Sequence, residues 1–304
     1  MTPPILVGID PGRDDPSPPA LAAVLSRAWG APMVVVAAFP WDLPAGRGYA
    51  GPPAEAPAEV RDALARAGES LPGLDVRTEA AYSTSPARAL HIAAEDLGAG
   101  LLVVGSTRSG PIGRLVPGSH TEQAIHGAPC PVAIAPHGYE PPPGRLPTRI
   151  GVAFSDTPDG HEALKGAAAL ARRCGAELCV LTIVEPVSWG SDIAWSMHSW
   201  PAAAAERRAA AVGSLQAAIA GLPDDVRAES RVIEEVSVTA VADAAEGFDL
   251  LVCGSRGHGP IRRVLLGSVS HVLVRSAPCP LIVLPRGTEG ALEALLEPSE
   301  VTAA

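Results

Sequence analysis

The chain has 304 residues, 47% of them hydrophobic and 18% charged, with a formal net charge of −10. That is the balance of a packed globular protein with room for two ordinary domains, not of a disordered chain. The acidic excess argues against an extended phosphate-binding face for DNA or RNA, and no apolar run approaches the roughly 20 residues that cross a bilayer.

Taken in chain order, short apolar runs alternate with longer amphipathic or Ala-rich stretches. The runs predict strands at 5–9, 33–39, 74–80, 101–105 and 131–135, and again at 150–154, 177–184, 226–233, 250–254 and 280–284. Helical stretches between them include 158–174 and 202–220, the latter composed almost wholly of strong helix formers. Such alternation is the signature of βαβ units around a parallel sheet, so the fold class is α/β. The N-terminus, "MTPPILVGID", has no basic segment before its short apolar run, so we expect a cytoplasmic protein with neither membrane nor nucleic-acid partner.

The chain is written twice. A shift of 149 residues lays Leu101–Pro136 over Leu250–Pro285 without a gap and with nearly half the positions identical. Gly105 meets Gly254, Gly118 and Ser119 meet Gly267 and Ser268, and Ala128–Pro131 meets Ala277–Pro280. A repeat of this length is a duplicated domain, since solenoid units run about 20–50 residues. We read a first domain at 1–138, a Pro- and Gly-rich linker at 139–148, a second domain at 149–287, and an acidic tail at 288–304 expected to hold one short helix and then fray.

The five cysteines, Cys130, Cys174, Cys179, Cys253 and Cys279, form no CxxC pair and read as buried reduced thiols. Lys165 is the only lysine, so no glycine loop carries the lysine of a P-loop NTPase. A GxGxxG after the first strand is also lacking, which removes the hydride-transfer reading.

In both copies a glycine-containing stretch follows the fourth strand and leads into a helix opened by Gly-Ser. Loop amides, together with the unpaired amides and partial positive charge of a helix N-terminus, form an anion site, and glycine lets a phosphate approach the backbone. The alternative is a tight turn with an N-cap serine. Gly254, Gly257, Gly267 and Ser268 fit the pattern G-x2-G-x9-G-S, followed by "SAPCPLIVLP". In these residues the chain resembles the universal stress protein family, and the likeness runs through both repeats.

The resemblance implies two tandem five-stranded, Rossmann-like parallel sheets of order 3-2-1-4-5, with ATP, or another adenine nucleotide, seated where the strand order reverses. It implies phosphates on the glycine loop and an adenosine contact for Asp10 at the end of the first strand. The other reading of Asp10 is a turn cap in "IDPG". It also implies antiparallel pairing of Val132–Ala135 with Leu281–Leu284 about a pseudo-twofold axis, which makes the chain its own dimer.

Neither copy is intact. The first keeps Asp10 but reads Gly105, Arg108, Gly118, Ser119, with Arg108 in the place of Gly257. A non-glycine residue in the left-handed region costs about 1–2 kcal/mol, although an arginine turned outward would neutralise phosphate charge. The second keeps the glycines but aligns Ser155 with Asp10 and carries its acid one place later, at Asp156. We therefore expect the second copy to be the stronger site, since phosphate anchoring carries most of the charge-assisted bonding. Arg114, Arg262 and Arg263 either offset phosphate charge or are solvated. Mg2+ could bridge the phosphates, with no protein ligand assigned.

No base with a metal-holding carboxylate set is evident, so a nucleotide-dependent stress regulator with at most slow ATP hydrolysis is the first reading. The others are a protein-binding scaffold with weak or no nucleotide affinity and, less well supported, a nucleotidyl transferase. The loops 40–57 and 185–201, the latter with Trp189, Trp195 and Trp200, offer either a surface for a homodimer or protein partner or a lid over their own domain.

Overall fold

Each apolar run becomes a strand, and within each half helices lie between successive strands, in the computed structural model, which describes residues 2–40, 55–106, 114–184, 200–234, 237–255, 267–288 and 290–295. The first half comprises β1 (Ile5–Ile9), α1 (Ser17–Trp29), β2 (Met33–Pro40), α2 (Ala58–Glu69), β3 (Val76–Ser83), α3 (Pro86–Asp96), β4 (Leu101–Gly105), α4 (Ser119–Ile125) and β5 (Val132–Ala135). The second comprises β6 (Arg149–Phe154), α5 (Pro158–Cys174), β7 (Glu177–Ile183), α6 (Trp200–Ala220), β8 (Ala228–Ile233), α7 (Val238–Ala244), β9 (Leu250–Gly254), α8 (Ser268–Ser276), β10 (Leu281–Leu284) and α9 (Ala291–Ala294). Arg108, Gly257, His258, Arg262, Arg263, Trp189 and Trp195 lie outside the described residues.

Local chemistry sets the helix ends. α5 opens where the Thr157 hydroxyl accepts from the Gly160 amide and Pro158 supplies its fixed φ, and it closes on Gly175 at φ 66° after Arg172 and Arg173. α1 closes in the same way on Gly30, at φ 69°.

The strands form one sheet of ten, ordered β3-β2-β1-β4-β5-β10-β9-β6-β7-β8. Each half is parallel with the order 3-2-1-4-5, and the halves meet in one antiparallel pair, with Ile134 opposite Leu281, Ala133 opposite Ile282 and Val132 opposite Val283. The implied edge pairing is therefore present. The largest shifts from the expected strands fall on the two outer ones. β3 runs over Val76–Ser83 rather than 74–80 because β2 extends to Pro40 and pairs along its whole length, from Met33 opposite Val76 to Pro40 opposite Ser83. β8 starts two residues later than expected, at Ala228. Both strands have largely exposed faces, so apolarity marks their ends weakly.

Helices cover both faces. On one, Leu21, Leu25 and Trp29 of α1 share a continuous core with Leu164 and Leu170 of α5, so the apolar layer crosses from one half to the other. On the other, Leu90 of α3, Ile125 of α4 and Leu273 of α8 pack on the sheet. All five thiols are free, and burial pushes those of Cys130, Cys253 and Cys279 up to about 12. Among the described residues no helix is long and apolar enough to cross a membrane.

The segment joining the halves is tied at both ends. The Gly138 amide donates to the Ser17 hydroxyl at 3.0 Å. Asp249, directly before β9, accepts from the Thr148 amide, the Thr148 hydroxyl and the Arg149 amide at 2.7–3.1 Å.

Two outcomes follow from these contacts. Ile134→Ala, at a fully buried position on the central pair, should cost about 2–5 kcal/mol in urea unfolding. Partial burial pushes the Asp249 carboxyl up, but its bonds to Thr148 and Arg149 outweigh this and hold it below the ordinary 3.8. Its contribution should be complete above that value and lost as pH falls through the lower folded-state value. Acid titration of stability should show this loss in the wild type and a flatter curve in Asp249→Asn.

Candidate functional site

The sheet reverses its strand order twice, once between β1 and β4 and once between β6 and β9. At such a point neighbouring strands feed connections that diverge to opposite faces and leave a crevice beyond their carboxyl ends. The two crevices differ in what fills them.

In the second half β6 and β9 run side by side, with Ala153 opposite Cys253. Past their ends lies a small, partly open cleft of about 40 Å3 lined by Ser155, Thr157, Asp159, Gly160, Gly254 and Ser270, among others. Gly254 forms its floor against the first turn of α5, where a Cβ would stand 2.7 Å from the Asp159 carbonyl oxygen. Gly160 is equally confined, since a Cβ there would overlap the Ser155 carbonyl oxygen. α8 starts on Gly267, which is extended at φ −66° and ψ 170° and makes no side-chain capping bond. Val269 and Ser270 of the first turn line the cleft, so the positive end of that helix lies on it.

The carboxylate expected near this cleft points elsewhere. Ile5 pairs with Leu101 in the first half and Ile150 with Leu250 in the second, so Ser155 is the structural counterpart of Asp10. Its hydroxyl sits 3.2 Å from that of Thr157, giving the cleft a neutral pair of hydroxyls. Asp156 accepts from His161 Nε2 at 2.9 Å and from the Ser214 hydroxyl of α6 at 3.0 Å, and it is not among the residues lining the cleft. Those two bonds, His161 first, hold its carboxyl below the usual range. His161 in turn stands edge-on to Phe154, with centroids 5.1 Å apart.

In the first half different groups pack on the corresponding strand end. A Cβ on Gly105 would lie 3.0 Å from Pro18 Cγ and 3.2 Å from the Asp15 carboxylate, which is fixed by accepting from the Ser17 amide at 3.0 Å. Thr121 donates to the Gly105 carbonyl at 2.7 Å and ties α4 directly to the strand. Gly118 is the extended N-cap of α4, and Ser119 and Arg114 are exposed. Asp10 turns back on its own loop, accepting from the Gly12 amide at 3.0 Å and meeting Arg13 Nε at 3.2 Å. That is the turn-capping geometry weighed for "IDPG".

Of the sequence-derived residues, the second half brings Ser155 and Gly254 to one crevice, with Val269 and Ser270 standing there just after Gly267 and Ser268. In the first half Gly105 is packed under a carboxylate. Sequence reasoning missed Thr157, whose position before Pro158 and three residues ahead of Gly160 is a helix-start signal, and Asp15, visible as an acid in the proline-rich run "DDPSPP". Among the described residues no cluster of three or more His, Cys, Asp or Glu could hold a metal ion.

The family model described as the universal stress protein family matches the chain twice, over residues 1–136 and 147–285. A universal stress protein of Mycobacterium tuberculosis is 29% identical over 247 residues, covering 76% of this chain and 79% of its own length. One from Mycolicibacterium smegmatis is 31% identical over 217 residues, covering 70% of this chain and 69% of its own. The crystal structure of a universal stress protein from Archaeoglobus fulgidus superposes with a TM-score of 0.60 at 18% identity, covering 94% of this chain and all of that one.

The packing at Gly254 is directly testable. Gly254→Val forces the Asp159 backbone to move and should cost about 1–3 kcal/mol in denaturant unfolding. Equal stability would show that the first turn of α5 yields freely.

Proposed function

The chain belongs to the universal stress protein family, and from that premise we propose that it is a nucleotide-dependent regulator binding ATP, or another adenine nucleotide, in its second domain alone. The observation that carries the reading is the contrast between the two crevices. In the second, Gly254 and the positive end of α8 border a small, partly open cleft. In the first, the equivalent glycine lies against Pro18 and the Asp15 carboxylate, and that carboxylate would oppose a phosphate.

The residues present fit such a ligand in part. Backbone amides at Gly267 and Ser268, with the loop carrying Gly257, suit the phosphates. The Ser155 and Thr157 hydroxyls suit ribose oxygens. Neither nearby acid is free for the adenosine, since Asp156 is engaged by His161 and Ser214, and Asp159 on the cleft wall meets Arg286 at 3.6 Å. The resulting site anchors by phosphate more than by base, so we expect modest discrimination among purine nucleotides. Mg2+, when bound, would offset charge between phosphate oxygens. The role we assign is occupancy-dependent signalling with at most slow hydrolysis, and the domain bounds we assign are 1–138 and 149–287.

A second reading, a scaffold with little nucleotide affinity, draws on the packing of Pro18 and the Asp15 carboxylate on Gly105 in the first domain and is retained for that domain. Calorimetric titration with Mg-ATP should report one site per chain. Gly267→Asp places a carboxylate at the start of α8 and should weaken binding at least tenfold, whereas Gly118→Asp in the first copy should leave it unchanged. Two sites per chain would overturn the single-domain assignment, and no heat at millimolar nucleotide would leave the scaffold reading.

A further inference from the structure

The C-terminal segment 286–295, of which Glu289 lies outside the described residues, departs from the duplication. It begins at Arg286, whose Nε lies 3.6 Å from Asp159 at the head of α5. The Gly290 amide then donates to Glu162 Oε2 at 3.1 Å, while the other oxygen of that carboxylate takes the amine of Lys165 at 2.7 Å. Leu292, 2% exposed, packs on Gly166 of α5, where a Cβ would stand 2.8 Å from its Cδ1. Leu295, fully buried, packs on Gly100 and Pro3 at the base of the first half, where a Cβ on Gly100 would stand 2.7 Å from its Cδ2.

We propose that α9 and its flanking residues are an interdomain clasp, seated on a docking surface made by α5 of the second domain and the base of β4 in the first. The pseudo-twofold supplies the comparison that distinguishes a built surface from an incidental contact. Gly166 lies nine residues before the α5 cap Gly175, and the residue nine before the α1 cap Gly30 is the bulky, buried Leu21. Gly100 directly precedes β4, and the residue directly preceding β9 is Asp249. Both small residues that admit the leucines are therefore replaced on the other side.

On that other side runs the linker, which offers no buried pair of leucines. The twin region, bordered by Val24, Asp249 and Tyr139, is a cleft of about 280 Å3. The hydrogen bond has a twin as well: the linker's Gly138 amide donates to Ser17 of α1, as the tail's Gly290 amide donates to Glu162 of α5. One segment is the covalent connection between the domains. The other adds a non-covalent one through its two leucines. Leu292 is buried against one domain and Leu295 against the other.

The test uses the full chain and reads hydrogen exchange at the Gly290 amide, which is held by the second domain. Gly100→Asp, copying Asp249, changes only the first domain, yet the clasp requires exchange at Gly290 to accelerate at least tenfold. Gly166→Leu, copying Leu21, should do the same from the second domain. Leu295→Ala removes volume without crowding and provides the same readout should Gly100→Asp fail to fold. Truncation after Thr288 should speed exchange at the Gly100 amide, which donates to the Pro4 carbonyl. Unchanged Gly290 exchange in folded Gly100→Asp or in Leu295→Ala would overturn the proposal. So would a truncation whose effects stop within α5.

Discussion

The antiparallel pairing of β5 with β10 is the constraint on which the rest of the molecule depends. Each half ends its own sheet with a short, wholly apolar strand, and an unpaired edge of that kind templates association with other chains. Joining the two edges buries Ile134 and Leu281 completely and turns two five-stranded sheets into one of ten. Because the join is antiparallel, the carboxyl ends of one half's strands point toward the base of the other. The two crevices therefore open at opposite ends of the molecule, and whatever leaves β5 or β10 runs toward the opposite domain. The linker takes that route on one side and α9 on the other.

Most of this architecture was legible in the sequence, for physical reasons that also explain the exceptions. Central strands such as β1, β4 and β9 are buried on both faces, so their uninterrupted apolar runs marked their limits to the residue. β3 and β8 have outward faces carrying Arg77, Glu79 and Glu229, and their ends follow the pairing partner rather than their own composition. The register of the repeat showed that Ser155 replaces Asp10. It did not show that Asp156 turns toward His161 and Ser214, because Ser214 lies 58 residues further on. In the same way, Asp15 lies in a loop and Pro18 in the first turn of α1, and only the close approach of α1 to β4 places them over Gly105. The tail carried a helical pattern, but what it touches depends on glycines far away in the chain.

Duplication gave this protein two equivalent crevices, and later substitutions have separated them. Small residues at Gly160 and Gly254 let α5 approach closely while the start of α8 faces the cleft. In the first half, Pro18 and the Asp15 carboxylate pack on Gly105, and Asp10 is occupied by its own turn. The halves thus differ at their strand ends: Gly254 of one borders a small cleft with the first turn of α8, while Gly105 of the other packs against Pro18 and Asp15.

The central claim is that this asymmetry decides where a nucleotide is held. The most direct measurement is hydrogen exchange read by mass spectrometry on the intact chain with and without saturating Mg-ATP. The account predicts protection at the end of β9 and the first turn of α8, with no change at the end of β4 and the first turn of α4. Equal protection in both halves, or protection confined to the first, would contradict it.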